Sequence, residues 1–335
     1  MASVLEGCTP WPREFVDRYW AAGHWRGTTL DNLLRGWALQ YGPRTALVQG
    51  DTRITYAHLN RRVDRRAAGF RLRGIRPGMR VVVQLPNVTE FVVTVLALMR
   101  AGAVPALCPL AQPADTLPET VRVTQAVGYV GPAAHADGED RTAEVADIAA
   151  RWPFLRRVFT LPAPGGAALT RERVTVASVA PGALRRWLDA LPGSGADNRS
   201  LRLVQTGGEP LDRATAGRVG AELGCPLQEV HGGPEGPLVL TRPSGDPLTA
   251  RGRLLSPDDE VRVVDANGAD VPDGTRGALL ARGPYTPRGY YRAPDHDRRR
   301  FTPDGWFRTG DLVRRAPEGS LERAGRAEGA GAGRA

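Results

Sequence analysis

"RVVVQLPNVTEFVVTVLALMRAGAVPAL", Arg80 to Leu107, decides the fold. Its first six residues are β-branched and apolar on both faces, as a strand buried inside a parallel sheet must be. Pro86 and Asn87 then open a helix whose apolar face is Phe91, Val95, Leu98 and Met99. Gly102 sits where a helix C-terminal glycine belongs, and Ala103 to Leu107 reads as a second strand. A strand, a helix and a strand in this rhythm predict a doubly wound α/β sheet.

The same pattern extends outward. Residues 51–55 form a turn into a short strand, and Thr55 caps a helix carrying Leu59, Val63, Ala67 and Phe70, stopped by Gly74. Downstream the pattern weakens over residues 111–151, with a helix near 143–150 and a strand near 158–161. It returns with a strand at 174–179 and a helix from Pro181 to Leu191 that turns Leu184, Leu188 and Leu191 inward. A strand at 201–205 runs into "TGGEPL"; Asp212 caps a helix through Leu223, and Gly224 ends it. The strand at 226–230 leads into "HGGPEGPLV", a glycine-rich turn of the kind that follows strands at nucleotide sites.

After Pro243 the period changes. "EVRVVD" (260–265), Asn267-Gly268 and "GALLAR" (277–282) read as a hairpin with a type I′ turn, and the remaining short strands predict a small antiparallel, β-barrel-like subdomain. The division expected is a first α/β subdomain over 1–161, part of a second over 162–243, the β-barrel-like subdomain over 244–326, and a disordered tail over 327–335.

Composition narrows the function classes. The chain has 335 residues, a net charge of +9 and 45 basic residues, every one an arginine. Without lysine there is no Schiff base, no lysine general base and no P-loop lysine. The arginines are scattered and interspersed with acids, as in "RRVDRR" (61–66), which reads as a mixed-charge surface and not a nucleic-acid footprint. Cys8, Cys108 and Cys225 are odd in number and far apart, pointing to a reducing compartment and away from zinc. With no signal-like N-terminus and no apolar run longer than Phe91 to Met99, the expectation is a cytoplasmic protein without a membrane role.

Three stretches carry a resemblance to a known family. Ile54 to Pro105 resembles the opening of adenylate-forming enzymes. "CTPWPREFVDRYWAAGHWRGTTL" (8–30) is similar to the N-terminus of the 2,3-dihydroxybenzoate– and salicylate–AMP ligases of siderophore and nonribosomal peptide assembly. "RGPYTPRGYYRAPDHDRRRFTPDGWFRTGDLVRR" (282–315) resembles their C-terminal barrel region. The resemblance implies attack of an aryl carboxylate on the α-phosphate of ATP, with Mg²⁺, and an aryl carrier protein or a complete synthetase as partner. It places Gly207, Gly208, Glu209 and Pro210 against the adenine, where a glycine backbone permits close approach. On composition alone these residues are also an ordinary strand-to-helix turn. His231, followed by Gly232 in the nucleotide-binding set, takes the place of the aromatic residue that stacks on the base. Glu235 matches the magnesium-holding glutamate, a hard oxygen ligand, and is the catalytic candidate. Asp311 matches the aspartate that accepts from both ribose hydroxyls, and Arg326 the arginine that also reaches the ribose. Tyr290 and Tyr291 match the family's paired tyrosines and read as packing.

The pattern also breaks. Relatives carry a phosphate loop ending in lysine between the strands near 158–161 and 174–179; here residues 162–173 replace it, and with it the helix lining the acid pocket. The hinge residues are replaced by Ala327, Glu328 and Gly329, and the domain that carries a second lysine is expected to be missing. The expectation is therefore a shortened ligase homologue with adenylation impaired; the alternative is a non-catalytic pseudoenzyme that binds a nucleotide or a partner synthetase.

Overall fold

Capping and burial define the helices of this computed structural model, which describes residues 7–110, 116–133, 142–161, 175–192, 198–209, 211–241, 243, 251–254 and 256–327. They group into two compact units, one holding described residues 25–161, the other residues 7–24 and 175–327. Helix α1 (Arg13–Ala21) belongs to the second unit.

In the first unit, α2 (Leu30–Gln40) is capped by Thr29, whose hydroxyl accepts from the Asn32 N–H at 3.3 Å. A hairpin of β1 (Thr45–Gln49) and β2 (Thr52–Thr55) feeds α3 (Tyr56–Leu72). Thr55 caps α3 by accepting from the His58 N–H at 3.2 Å, and Leu59, Val63, Ala67 and Phe70 are buried as the spacing predicts. Strand β3 (Arg80–Val83) is followed by α4 (Thr89–Arg100) and β4 (Val104–Leu107). Then come α5 (Thr116–Thr124), β5 (Gly128–Pro132), α6 (Thr142–Arg151) and β6 (Arg157–Leu161). The four strands β3 to β6 are parallel, in the order β4-β3-β5-β6, as a doubly wound sheet requires.

Helix α4 differs from its sequence reading in two respects. It starts at Thr89, not at Pro86, because the Gln49 side chain accepts from the Thr89 N–H at 2.8 Å and supplies the cap. Its buried stripe is Val93, Ala97 and Leu98, with Phe91 and Val95 only partly buried, because it packs against α2 and α3 as well as the sheet. Arg100 closes the junction of those three helices. Its side chain is 1% exposed and bonds Asp31 of α2, Asp64 Oδ1 at 2.8 Å and Asn60 Oδ1 at 2.8 Å.

In the second unit, β7 (Val176–Ser178), α7 (Pro181–Ala190), β8 (Leu203–Gly207), α8 (Arg213–Arg218) and β9 (Leu227–His231) form a further parallel segment. Asp212 caps α8, accepting from the Thr215 N–H at 2.8 Å; a π-helical turn at Val219–Leu223 continues to Gly224 at φ +66°. Strand β10 (Val239–Thr241) pairs antiparallel with β9 and leads into β11 (Arg251–Leu254), β12 (Glu260–Val264), β13 (Arg276–Arg282), α9 (Pro294–Arg300), β14 (Phe307–Arg315) and β15 (Leu321–Arg326). The nine strands β7 to β15 form one sheet, so the antiparallel region hydrogen-bonds directly onto the parallel one. Across this join Gln205 Nε2 donates to Gln228 Oε1 at 2.7 Å, and Gln228 Nε2 donates to the Thr241 carbonyl at 2.9 Å.

Two sequence expectations need correction here. Asn267 does not take the positive φ of a type I′ turn; the described non-glycine residues that do are Gln125 and Arg292. Instead the Asp265 carboxylate accepts from the N–H groups of Asn267 and Ala269, both at 2.9 Å, and closes the turn itself. The N-terminal segment, grouped in sequence with residues up to 161, packs with the later strands: Arg18 pairs with Glu260 at 2.6 Å, and Arg282 lies 5.0 Å over the Phe15 ring. The tail expected to be disordered falls, beyond Ala327, outside the described residues. Cys8, Cys108 and Cys225 are free thiols, and no described helix is long and apolar enough to cross a membrane.

Arg100→Ala should cost about 1–3 kcal/mol, because it removes the buried guanidinium's hydrogen bonds to Asp31 and Asn60 and leaves Asp31 only the longer contact to Arg35 at 3.4 Å. Asp64→Asn, at a half-exposed carboxylate, should cost less than about 1 kcal/mol. Denaturant unfolding of both variants measures the difference; equal small losses would show that the three-helix junction does not depend on this guanidinium.

Candidate functional site

The candidate residues are brought to the C-terminal end of β9 and to the β14–β15 pair, all within the second unit. His231 ends β9 and is half-buried. Burial holds its imidazole below the ordinary value of 6.5, Arg323 adds to that effect, and Asp311 opposes it. Glu229 Oε2 lies 3.4 Å from His231 Nε2. Burial pushes the Glu229 carboxyl up, so both partners are biased toward neutrality and the contact is not a strong ion pair.

The loop after β9 folds back tightly. A Cβ on Gly232 would stand 2.1 Å from the Pro237 carbonyl oxygen, so only glycine fits there. Glu235 is held from a distant part of the chain: the Tyr290 hydroxyl donates to its Oε1 at 2.6 Å. Tyr290, read from sequence as packing, therefore also touches the candidate metal ligand. No short-range pattern could pair residues separated by 55 positions.

Asp311 sits inside β14, not in a turn. On β13 one residue lies between Ala278 and Leu280, whereas their partners on β14, Leu312 and Arg308, are separated by three. Thr309, Gly310 and Asp311 thus bulge out of the ladder. The Thr309 hydroxyl accepts from the Asp311 N–H at 3.0 Å and donates to the Leu279 carbonyl at 2.9 Å, which anchors the bulge. Asp311 lies opposite Arg326 on β15, with Oδ1 3.5 Å from Arg326 Nε and 3.9 Å from Arg323 Nη2. Arg323 did not stand out in sequence; the hairpin register of β14 and β15 was the signal that could have shown it.

The loop after β8 is less committed. A Cβ on Gly207 would stand 2.2 Å from the Val230 carbonyl oxygen, so its close approach is to β9. Gly208, at φ +89°, has open space where a side chain would lie, and Glu209 is exposed. Pro210 lies outside the described residues.

Chemically, the set comprises a half-buried carboxylate between two guanidinium groups, an imidazole biased toward neutrality, and a second carboxylate with one oxygen engaged. Among the described residues no three His, Cys, Asp or Glu side chains gather as a metal cluster.

Arg323→Gln should raise the His231 titration midpoint and Asp311→Asn should lower it, because the first removes a like charge and the second an opposite one. Imidazole NMR signals followed against pH give both midpoints. The contribution of His231 to stability is present above the ordinary 6.5 and lost as pH falls toward the lower folded value, since the unfolded chain takes the proton first.

Comparison with known proteins identifies the family. The family model described as "AMP-binding enzyme" matches residues 34–163 and 154–291. The salicylyl-CoA synthase / salicylate adenylyltransferase of a Streptomyces species is 34% identical, over 96% of this chain and 79% of its own. The 2,3-dihydroxybenzoate-AMP ligase of Bacillus subtilis is 30% identical, over 97% and 80%. The apo structure of MbtA from Mycobacterium smegmatis superposes with a TM-score of 0.83 at 31% identity, covering 96% of this chain and 80% of that one. The chain belongs to the AMP-binding enzyme family of adenylate-forming proteins, among the aryl-acid–AMP ligases.

Proposed function

We propose that this chain retains the nucleoside-binding face of an aryl-acid–AMP ligase for acids of the salicylate and 2,3-dihydroxybenzoate class, and that by itself it does not complete adenylation. The observation carrying the first half is the anchored bulge at Thr309–Asp311. A carboxylate set there, half-exposed and flanked by Arg323 and Arg326, suits two ribose hydroxyl donors. A neutral His231 would stack on the base without placing a charge beneath it. Glu235 would hold Mg²⁺, which neutralises the phosphate charge when bound; Gly208 and Glu209 would border the adenine.

The second half rests on charge. No lysine occurs anywhere in the 335 residues. The two matched stretches of the family model overlap at residues 154–163, and β6 is joined to β7 by residues 162–175 alone. The alignments to the relatives from Streptomyces and Bacillus run over 440 and 431 positions, more than the whole chain, so each opens gaps in it. These facts support a shortening where relatives carry the phosphate loop. Losing one donor to developing phosphate charge costs about 3 kcal/mol of barrier, and arginine replaces the charge of a lysine without its compact geometry. An aryl carrier protein or a complete synthetase is the partner this reading calls for.

Calorimetry of the purified chain with a nonhydrolysable salicyl-adenylate analogue should show binding, and Asp311→Asn should weaken it by about tenfold or more. ATP–pyrophosphate exchange with salicylate or 2,3-dihydroxybenzoate should stay at the level of a heat-treated control. Absence of analogue binding would remove the retained site; aryl-adenylate released by the purified chain would remove the impairment.

A further inference from the structure

Two tyrosines from one neighbouring segment hold the loop between β9 and β10. Tyr285 accepts from the Leu238 N–H at 3.2 Å and donates to Asp259. Its ring lies so close to Gly236 that a Cβ there would stand 2.6 Å away. Tyr290 reaches the same loop three residues before Leu238, at the Glu235 carboxylate.

Tyr290 is itself fixed at both ends. Its N–H donates to Asp297 Oδ1 of α9 at 2.7 Å. Its ring meets His296 edge-on at 4.8 Å and lies tilted against Phe301 at 5.9 Å. Between a phenol and a carboxylate, the Tyr290 hydroxyl is the donor and Glu235 the acceptor. The second oxygen of Glu235, Oε2, accepts no hydrogen bond from a described residue.

We propose that Tyr290 is a positioning residue for Glu235: its hydroxyl holds Oε1 and leaves Oε2 as the one oxygen offered to a nucleotide-bound divalent cation. The proposal rests on the reading of Glu235 as the magnesium ligand. A hydrogen-bonded carboxylate loses rotamer freedom before the cation arrives, so less ordering remains to be done on binding. A contact through Oε2 alone would suit Mg²⁺, with its small octahedral shell, better than Ca²⁺.

The test uses the full chain and ATP, measured by calorimetry with Mg²⁺ and again with EDTA. The readout is the gain in affinity that Mg²⁺ confers. Tyr290→Phe should cut that gain by about tenfold, the usual effect of losing a hydrogen-bond partner behind a metal ligand. Glu235→Gln should abolish it. An unchanged gain in folded Tyr290→Phe overturns the positioning role and leaves the role of Glu235 standing. An unchanged gain in Glu235→Gln, or none in the parent chain, removes the magnesium reading and the positioning role with it. A second variant does not depend on the folding of Tyr290→Phe. Glu235→Asp keeps a carboxylate but draws it back from the Tyr290 hydroxyl, so it should also cut the Mg²⁺ gain by about tenfold. A full gain in Glu235→Asp means the hydrogen bond does not matter, and the proposal fails.

Discussion

Gln228 holds together the point on which the second unit depends. Strand β9 runs parallel to β8 on one side and antiparallel to β10 on the other. The β9–β10 ladder lasts only two residue pairs, Val239 with His231 and Leu240 with Val230. Beyond it the Gln228 amide takes over, accepting from Gln205 and donating to the Thr241 carbonyl, while the Thr241 hydroxyl accepts from the Glu229 N–H at 2.8 Å. A buried carbonyl left unpaired there would cost about 1–3 kcal/mol. The change of strand direction also brings the chain back within seven residues, which is why the end of β9 carries a tight loop where a purely parallel sheet would need a helical crossover.

That geometry separates two tasks that an adenylating enzyme must perform. Holding a nucleoside needs acceptors for hydroxyls and a flat face for the base, and the groups proposed for it sit on β9, β14 and their loops. Transferring to the α-phosphate needs cations placed where charge develops, and the impairment proposed above concerns that task alone. On the proposed reading the two tasks are separable, because the strands assigned to the first are paired with one another within one sheet.

Much of the fold was legible in the sequence. The strands β3 and β4 and the helices α3 and α7 announce themselves by period, because one apolar face packed on one surface leaves a regular trace. Helix α4 was harder, since packing on helices and sheet together blurs the stripe, and the burial of Arg100 reverses what a helix-end arginine usually does. In the site, glycines and carboxylates showed through their resemblance to relatives, yet what they touch did not. The contact of Glu235 with Tyr290 bridges distant segments, and the direction in which Gly207 would clash depends on the neighbouring strand. The Asn-Gly pair misled because Asp265, two residues earlier, offered the backbone a competing acceptor.

The bulge at Thr309–Asp311 links the site to the core in a way that limits how either can change. Past it, Leu312 and Val313 resume the alternation of β14, and Val313 is packed inside with Val263, Leu279 and Leu321. Side chains along a strand exchange faces with every single-residue step. Loss of one residue from the bulge would therefore not merely retract the carboxylate; it would turn Val313 out toward water and a polar neighbour inward. Insertions and deletions here are visible to folding before they are visible to ligand binding, so the spacing of this acid from the core can persist under selection for stability alone, even in a lineage that no longer uses it.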